Sequence, residues 1–268
     1  MIPAGFNYHV AADLDEAVSL LREFEDAKVL AGGMSLIPLM KTRLAQPPAL
    51  VDIGRIDGLN YVRLEGDRLH IGALTRHVDL QRSALVREHL PLLATMAAEV
   101  GDAQVRARGT IGGVMSHADS AGDYCTLAVM LDAEIVTTRR RIPAAGFFLD
   151  FMTTPLDSDE IVIEITFPVE SGAHDYTKFR RRSSDWAIVG LGVQSTERGW
   201  RIGLTNMSTT VVRAFAAEDA LASGADAAET ARVLSDNLSL SGDGASAAYK
   251  KSLARTLAER ALRGVGVS

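Results

Sequence analysis

The spacing of apolar side chains changes period along this chain, and that change restricts the fold more than any single motif does. Between residues 13 and 24, Leu14, Ala17, Val18, Leu21 and Phe24 share one helical face, and Asp13 with Glu16 resembles a capping box. Apolar strands are expected at 28–31 and 49–53. Between them Ser35 is placed to cap a helix that runs to about Leu44 and stops at Pro47-Pro48. From Tyr61 the period becomes two: residues 61–64 and 69–71 flank a Glu65-Gly66-Asp67 turn and read as a hairpin. Helices are expected near 78–82, 90–100 and 127–131, and strands at 134–138 and 161–167. Beyond Phe167 come three strand-like segments (176–182, 187–193, 200–204) and then three helical ones (214–223, 227–234, 246–262). Strands and helices thus come in blocks, which gives an α+β class and argues against a plain doubly wound sheet.

The 268 residues suggest about two domains at roughly 150 residues each, with a boundary near 168–175, where Pro168 and Gly172 interrupt the pattern. The expected division is 1–170, itself split into subdomains of about 1–55 and 56–170, followed by 171–268. With 47% apolar and 23% charged residues the chain can bury a core. A net charge of −6 gives no reason to expect nucleic acid or an anionic membrane as partner. Cys125 is the single cysteine. Internal disulfides, multi-thiolate zinc sites and four-cysteine iron–sulfur clusters are therefore excluded, and redox chemistry here would need an organic cofactor. No signal peptide is expected, and the longest apolar run, 186–193, is far below the ~18 residues of a membrane span. A cytoplasmic location is the expectation.

Three stretches can carry chemistry. Ala31-Gly32-Gly33-Met34-Ser35 lies between a strand and a helix, where glycines admit close approach of a ligand and free amides suit a phosphate. It matches neither G-x-G-x-x-G nor the P-loop pattern, and a tight turn with a capping serine explains it equally well. Gly109-Thr110-Ile111-Gly112-Gly113 repeats the double glycine, and Asp123 follows as a possible acceptor for ribose hydroxyls or a helix cap. Two such loops some 80 positions apart suggest a clamp on a diphosphate. In the third stretch Lys178 offers a charge and Trp186 a stacking surface for an electron-rich ring; a solvated basic strand with a core tryptophan explains the same residues. Arg139-Arg140-Arg141 reads as a solvated turn, His70 and His117 lack metal-ligand spacing, and Cys125 reads as a buried thiol.

Together these stretches resemble the FAD-binding medium subunit of the molybdenum hydroxylases, the group that includes carbon monoxide dehydrogenase and xanthine dehydrogenase. Residues 31–38 resemble its first flavin loop, Thr110-Ile-Gly-Gly113 the second, and residues 117–123 the segment after it. Arg141-Ile-Pro-Ala, Asp159-Glu160-Ile161, and Lys178 with Asp185-Trp186-Ala187 match later landmarks, so the resemblance spans essentially the whole chain. It implies a two-subdomain FAD-binding domain of the vanillyl-alcohol-oxidase type, then a small domain with a three-stranded sheet and three helices. Ala31, Gly32, Gly33, Met34, Ser35 and Leu36, with Thr110, Ile111, Gly112 and Gly113, would hold the FAD diphosphate. Asp123 would bind on the nucleotide side, Ile161 would pack against the cofactor, and Lys178 and Trp186 would lie near the isoalloxazine. The partners implied are a small subunit with two 2Fe–2S clusters and a large subunit with the molybdenum cofactor, in a dimer of heterotrimers. The chain would take electrons from the clusters and pass them to an external acceptor, with no catalytic acid or base of its own. Met34, Ala107, Ser120 and the stretch Thr210-Val211-Val212-Arg213 depart from the usual pattern, but none removes a backbone donor from either glycine loop. A stand-alone flavin enzyme and a non-enzymatic nucleotide-binding module stay open on the sequence.

Overall fold

The computed structural model describes residues 2–238 and 245–268. It opens with β1 (Asn7–Val10), α1 (Leu14–Glu23), β2 (Lys28–Leu30), α2 (Leu36–Lys41) and β3 (Ala49–Asp52). The strands form a parallel sheet in the order β1-β3-β2. Asp13 caps α1 through its carboxylate to the Glu16 amide at 2.8 Å, and Glu16 reaches back to the Ala12 amide at 2.6 Å, one residue earlier than a standard capping box. Ala17 and Leu21 of α1 join Ala49, Val51 and Ile53 in the first core. Two expectations need correction here. Ser35 makes no side-chain cap bond to α2, and α2 ends at Lys41 because Arg43, at φ 60°, turns left-handed. β1 is an addition to the sequence reading.

A five-stranded antiparallel sheet follows in the order β4-β5-β8-β6-β7, built from β4 (Val62–Glu65), β5 (Arg68–Gly72), β6 (Glu134–Thr137), β7 (Arg141–Pro143) and β8 (Val162–Pro168). Six helices lie between β5 and β6: α3 (His77–Arg82), α4 (Ala84–His89), α5 (Pro91–Glu99), α6 (Ala103–Arg108), α7 (Ile111–His117) and α8 (Asp123–Met130). They cover one face of the sheet with a core of Leu80, Leu92, Leu93, Met96 and Leu127 against Ile71, Ile135 and Ile165.

β9 (His174–Phe179), β10 (Val189–Thr196) and β11 (Gly199–Thr205) are the three strands expected of the C-terminal part, and the two-residue β12 (Val212–Arg213) adds a fourth at the edge. α9 (Phe215–Ala222), α10 (Ala227–Asp236) and α11 (Ala247–Gly264) pack on one face, with Ala217, Leu234, Leu257 and Leu262 against Val189, Leu191 and Leu204. The other face receives α8. Gly203 makes this possible: a Cβ there would stand 2.7 Å from the Thr126 methyl. Thr126 and Thr205 then share a hydroxyl–hydroxyl bond of 2.8 Å across the junction. Arg139 and Arg140 are not a merely solvated turn. Arg139 pairs with Asp157 at 2.6 Å and with Asp159, which also binds Arg22 of α1 at 2.6 Å, and Arg140 grips Glu160 at 2.8 Å.

Candidate functional site

The two glycine loops meet backbone to backbone. A Cβ on Gly32 would fall 2.2 Å from the Arg108 carbonyl oxygen and 2.8 Å from Gly109 Cα, so only glycine permits this contact. Gly33 adds a φ of +73°, which turns the chain from β2 toward α2. Among the described residues nothing accepts a hydrogen bond from the amides of Gly32, Gly33, Met34, Ser35 or Leu36. These residues are half-buried to exposed, so five consecutive main-chain donors line an open turn. Such an array matches the oxygens of an anion without side-chain charge.

The second loop is built differently, and the expectation of free amides there is overturned. The Ile111 amide donates to Thr75 O at 3.0 Å, Gly112 to Ala73 O at 2.9 Å, and Gly113 to Thr110 Oγ1 at 3.2 Å. The first two bonds tie α7 to the strand-to-helix segment after β5, because those buried donors would otherwise be stranded in the interior, and the third caps the first turn of α7. Thr110, Ile111 and Gly112 are buried, whereas Gly113 is exposed. A Cβ on Gly113 would meet only Thr110 Oγ1, at 2.9 Å. The bare Cα of Gly113 and the Thr110 hydroxyl, whose oxygen already accepts and whose proton is left to donate, are what this loop offers a ligand. Beneath it lies His77, missed by the sequence reading. Its ring would collide with a Cβ on Gly109, and burial, followed by the Arg106 charge, lowers its pKa to about 4.

Asp123 and Lys178 are brought together, but on each other. Lys178 Nζ lies 2.8 Å from Asp123 Oδ2, with both side chains almost wholly buried, and Tyr176 donates its hydroxyl to Asp123 Oδ1. Lys178 also donates to the Glu99 carbonyl at the end of α5, at 3.2 Å. Burial pushes the Asp123 carboxyl up, and the Lys178 ammonium and Tyr176 hydroxyl pull against it. Lys178 is therefore not on a solvated basic face. Asp123 is the first residue of α8, where the helix dipole favours an anion. Tyr176 and Glu99 were missed in the sequence. The two-residue alternation of Tyr176 and Lys178 on one strand face was a signal within reach.

Trp186 is 58% exposed, which removes the core-tryptophan reading, while Ala187 beside it is buried. Ile161 is 3% exposed and belongs to the first core, so its side chain already has apolar neighbours. Cys125 is buried, and burial pushes its thiol up. Among the described residues no group of His, Cys, Asp and Glu is arranged to hold a metal ion, and no helix is long and apolar enough to cross a membrane.

Residues 4–170 match the family model described as the FAD binding domain in molybdopterin dehydrogenase, and residues 174–265 match that of the CO dehydrogenase flavoprotein C-terminal domain. The chain belongs to the FAD-binding subunits of the molybdopterin dehydrogenases. Within that family it is 39% identical to the carbon monoxide dehydrogenase medium chain of Hydrogenophaga pseudoflava, over 98% of this chain and 97% of that one. It is 31% identical to the xanthine dehydrogenase FAD-binding subunit of Escherichia coli O157:H7, over 63% of this chain and 59% of that one. Among solved structures, carbon monoxide dehydrogenase from Hydrogenophaga pseudoflava superposes with a TM-score of 0.93 at 40% identity, covering 99% of this chain and 98% of the other. The family assignment makes this an FAD-binding protein, and the residues fit that cofactor. The first loop presents donors without partners, and in the second Gly113 is exposed, its Cβ position met only by the Thr110 hydroxyl oxygen. Both relatives are named as subunits of dehydrogenases, one as a medium chain and one as an FAD-binding subunit.

Proposed function

We propose that this chain is the electron outlet of a molybdenum hydroxylase: it receives electrons from 2Fe–2S clusters on a small partner subunit and passes them to an external acceptor. Bound FAD supplies the conversion between one-electron and two-electron transfer; the protein supplies binding, orientation and electrostatics. The observation that carries the reading is the row of five unengaged amides at residues 32–36, backed against the second glycine loop. In this reading residues 1–170 form the cofactor domain and 171–268 the C-terminal flavoprotein domain.

Within the site, residues 31–36 hold the diphosphate through main-chain donors, and Thr110 with Gly113 completes the cradle from the other side. Ile111 and Gly112 serve by fixing α7 in place. Asp123 and Lys178 act as a pair that braces α8 against β9 at the cofactor's edge. Ile161 supports the site from the first core, and exposed Trp186 lies against the isoalloxazine. The chain works in the cytoplasm beside the small subunit and a large molybdenum-cofactor subunit, as a dimer of heterotrimers. Support for partners comes from relatives named as a medium chain and as a complex subunit.

The test is to express the chain with and without its neighbouring subunits. The reading expects a yellow protein with flavin absorption, co-purification with iron and molybdenum, and bleaching of the flavin by substrate only in the complex. A colourless chain, or one that oxidises a substrate alone, overturns it.

A further inference from the structure

Asn206 lies just after β11 with a φ of +61°, a left-handed conformation that asparagine tolerates better than most side chains. Its groups reach three separate segments. The backbone amide donates to Ser120 O at 2.8 Å, on the connection between α7 and α8. The side-chain Nδ2 donates to Ala187 O at 2.6 Å. Its own carbonyl accepts from Lys250 Nζ of α11 at 2.8 Å, and that lysine is 2% exposed. Glycine would suit the backbone here, but only asparagine adds the amide that holds Ala187.

That amide matters because of what stands next to Ala187. Trp186 exposes 58% of its surface and belongs to no core cluster of this fold. Its place is therefore set by the main chain around it. The loop between β9 and β10 is closed at its base by Ile188 N donating to Phe179 O at 2.8 Å, and at Ala187 it is tied by Asn206. Through the Ser120 contact the same residue refers this tie to the segment leading into Asp123.

We infer that Asn206 is a positioning residue for Trp186: it holds the tryptophan-bearing loop at a fixed offset from residues 117–123 and so sets the ring against the flavin. The inference rests on the proposed placement of Trp186 beside that ring.

The test uses the full chain in a Trp200→Phe background, which leaves Trp186 as the sole tryptophan. Where that background does not fold, the difference between each variant and its Trp186→Phe counterpart isolates the same emission. Asn206→Gly keeps the backbone conformation and removes the tether. Asn206→Asp keeps the shape but turns an oxygen toward the Ala187 carbonyl. Both are expected to retain FAD at the parent's stoichiometry, to lose at least twofold of the flavin-dependent quenching of Trp186, and to show lower Trp186 anisotropy in the FAD-free chain. Asp is expected to exceed Gly in both effects. Unchanged quenching and anisotropy in both variants overturn the tether. If the parent's Trp186 emission does not respond to FAD removal, the placement beside the flavin fails instead, and the anisotropy of the FAD-free chain still decides the tether.

Discussion

Replacing Gly113 by alanine separates cofactor binding from folding in a way few substitutions here can. Gly113 stands in the first turn of α7, where alanine is favoured over glycine by about 1 kcal/mol. Against this, the new Cβ would sit 2.9 Å from Thr110 Oγ1 and push the hydroxyl off the amide that it caps, a loss of about 1 kcal/mol. The two nearly cancel, so the FAD-free chain should keep its stability within about 1 kcal/mol. The methyl points into space that the proposed reading gives to the diphosphate, so FAD should bind at least about tenfold more weakly, or ~1.4 kcal/mol. Gly32→Ala is the contrast. Its Cβ falls 2.2 Å from a backbone oxygen where ordinary contact begins at 3.4 Å, and backbone cannot rotate away. Overpacking of this kind costs about 1–3 kcal/mol and would force the loops apart. Urea unfolding of the FAD-free chains, with FAD titration followed by flavin fluorescence, reads both quantities. Wild-type FAD affinity in Gly113→Ala, or a stability loss equal to that of Gly32→Ala, would refute the reasoning.

Trp186→Ala removes an exposed ring, so urea unfolding of the FAD-free chain should move by no more than about 0.5 kcal/mol, while the flavin spectrum or its reoxidation changes. Lys178→Met leaves the buried Asp123 without its counter-charge and should cost roughly 3–5 kcal/mol; adding Asp123→Asn should recover part of it, as measured by the same unfolding. Glu160 has its pKa lowered to about 2, chiefly by the Arg140 hydrogen bonds. Its contribution is present above the unfolded value of 4.5 and is lost as pH falls from there through about 2. Glu160→Gln should therefore unfold more easily at pH 7 but lose less stability than wild type on acidification to about pH 3, compared by denaturant midpoints at the two values.

The parts of the fold that could be read in the sequence are those whose cause is local. Asp13 and Glu16 announce α1 because capping needs only neighbouring residues, and the hairpin around Gly66 follows from alternation and a turn. β1 could not be read this way: its residues alternate weakly, and its partner Ala49–Asp52 lies some forty positions on. The short helices Ala84–His89 and Ala103–Arg108 were missed because one or two turns carry little periodicity. At the site, both glycine loops stood out, since close approach demands glycine. What the glycines approach did not. The Thr75 and Ala73 carbonyls that absorb the second loop's amides, and the Asp123–Lys178 pair 55 positions apart, are long-range outcomes that no local pattern records.

The location of that pair explains how the C-terminal sheet would reach the proposed cofactor site. Asp123 heads α8, and Thr126 and Met130, on the same face of that helix, rest on β10 and β11. Tyr176 and Lys178, two residues apart on β9, both face the carboxylate. A buried ion pair adds little net stability, but it penalises any arrangement that leaves one member alone. Sliding β9 by one residue would turn both side chains to the opposite face and strand Asp123. The register of the C-terminal sheet against α8 is thus set by charge as well as by packing. Asn206 repeats the same logic with neutral groups, joining Ser120 to Ala187 across the same junction. Two independent ties therefore run from the segment at 117–123 to the strand and loop that carry Lys178 and Trp186. A ring held between the two parts of the chain would keep one environment because those ties, together with the Thr126–Thr205 bond, oppose any shift of one part against the other.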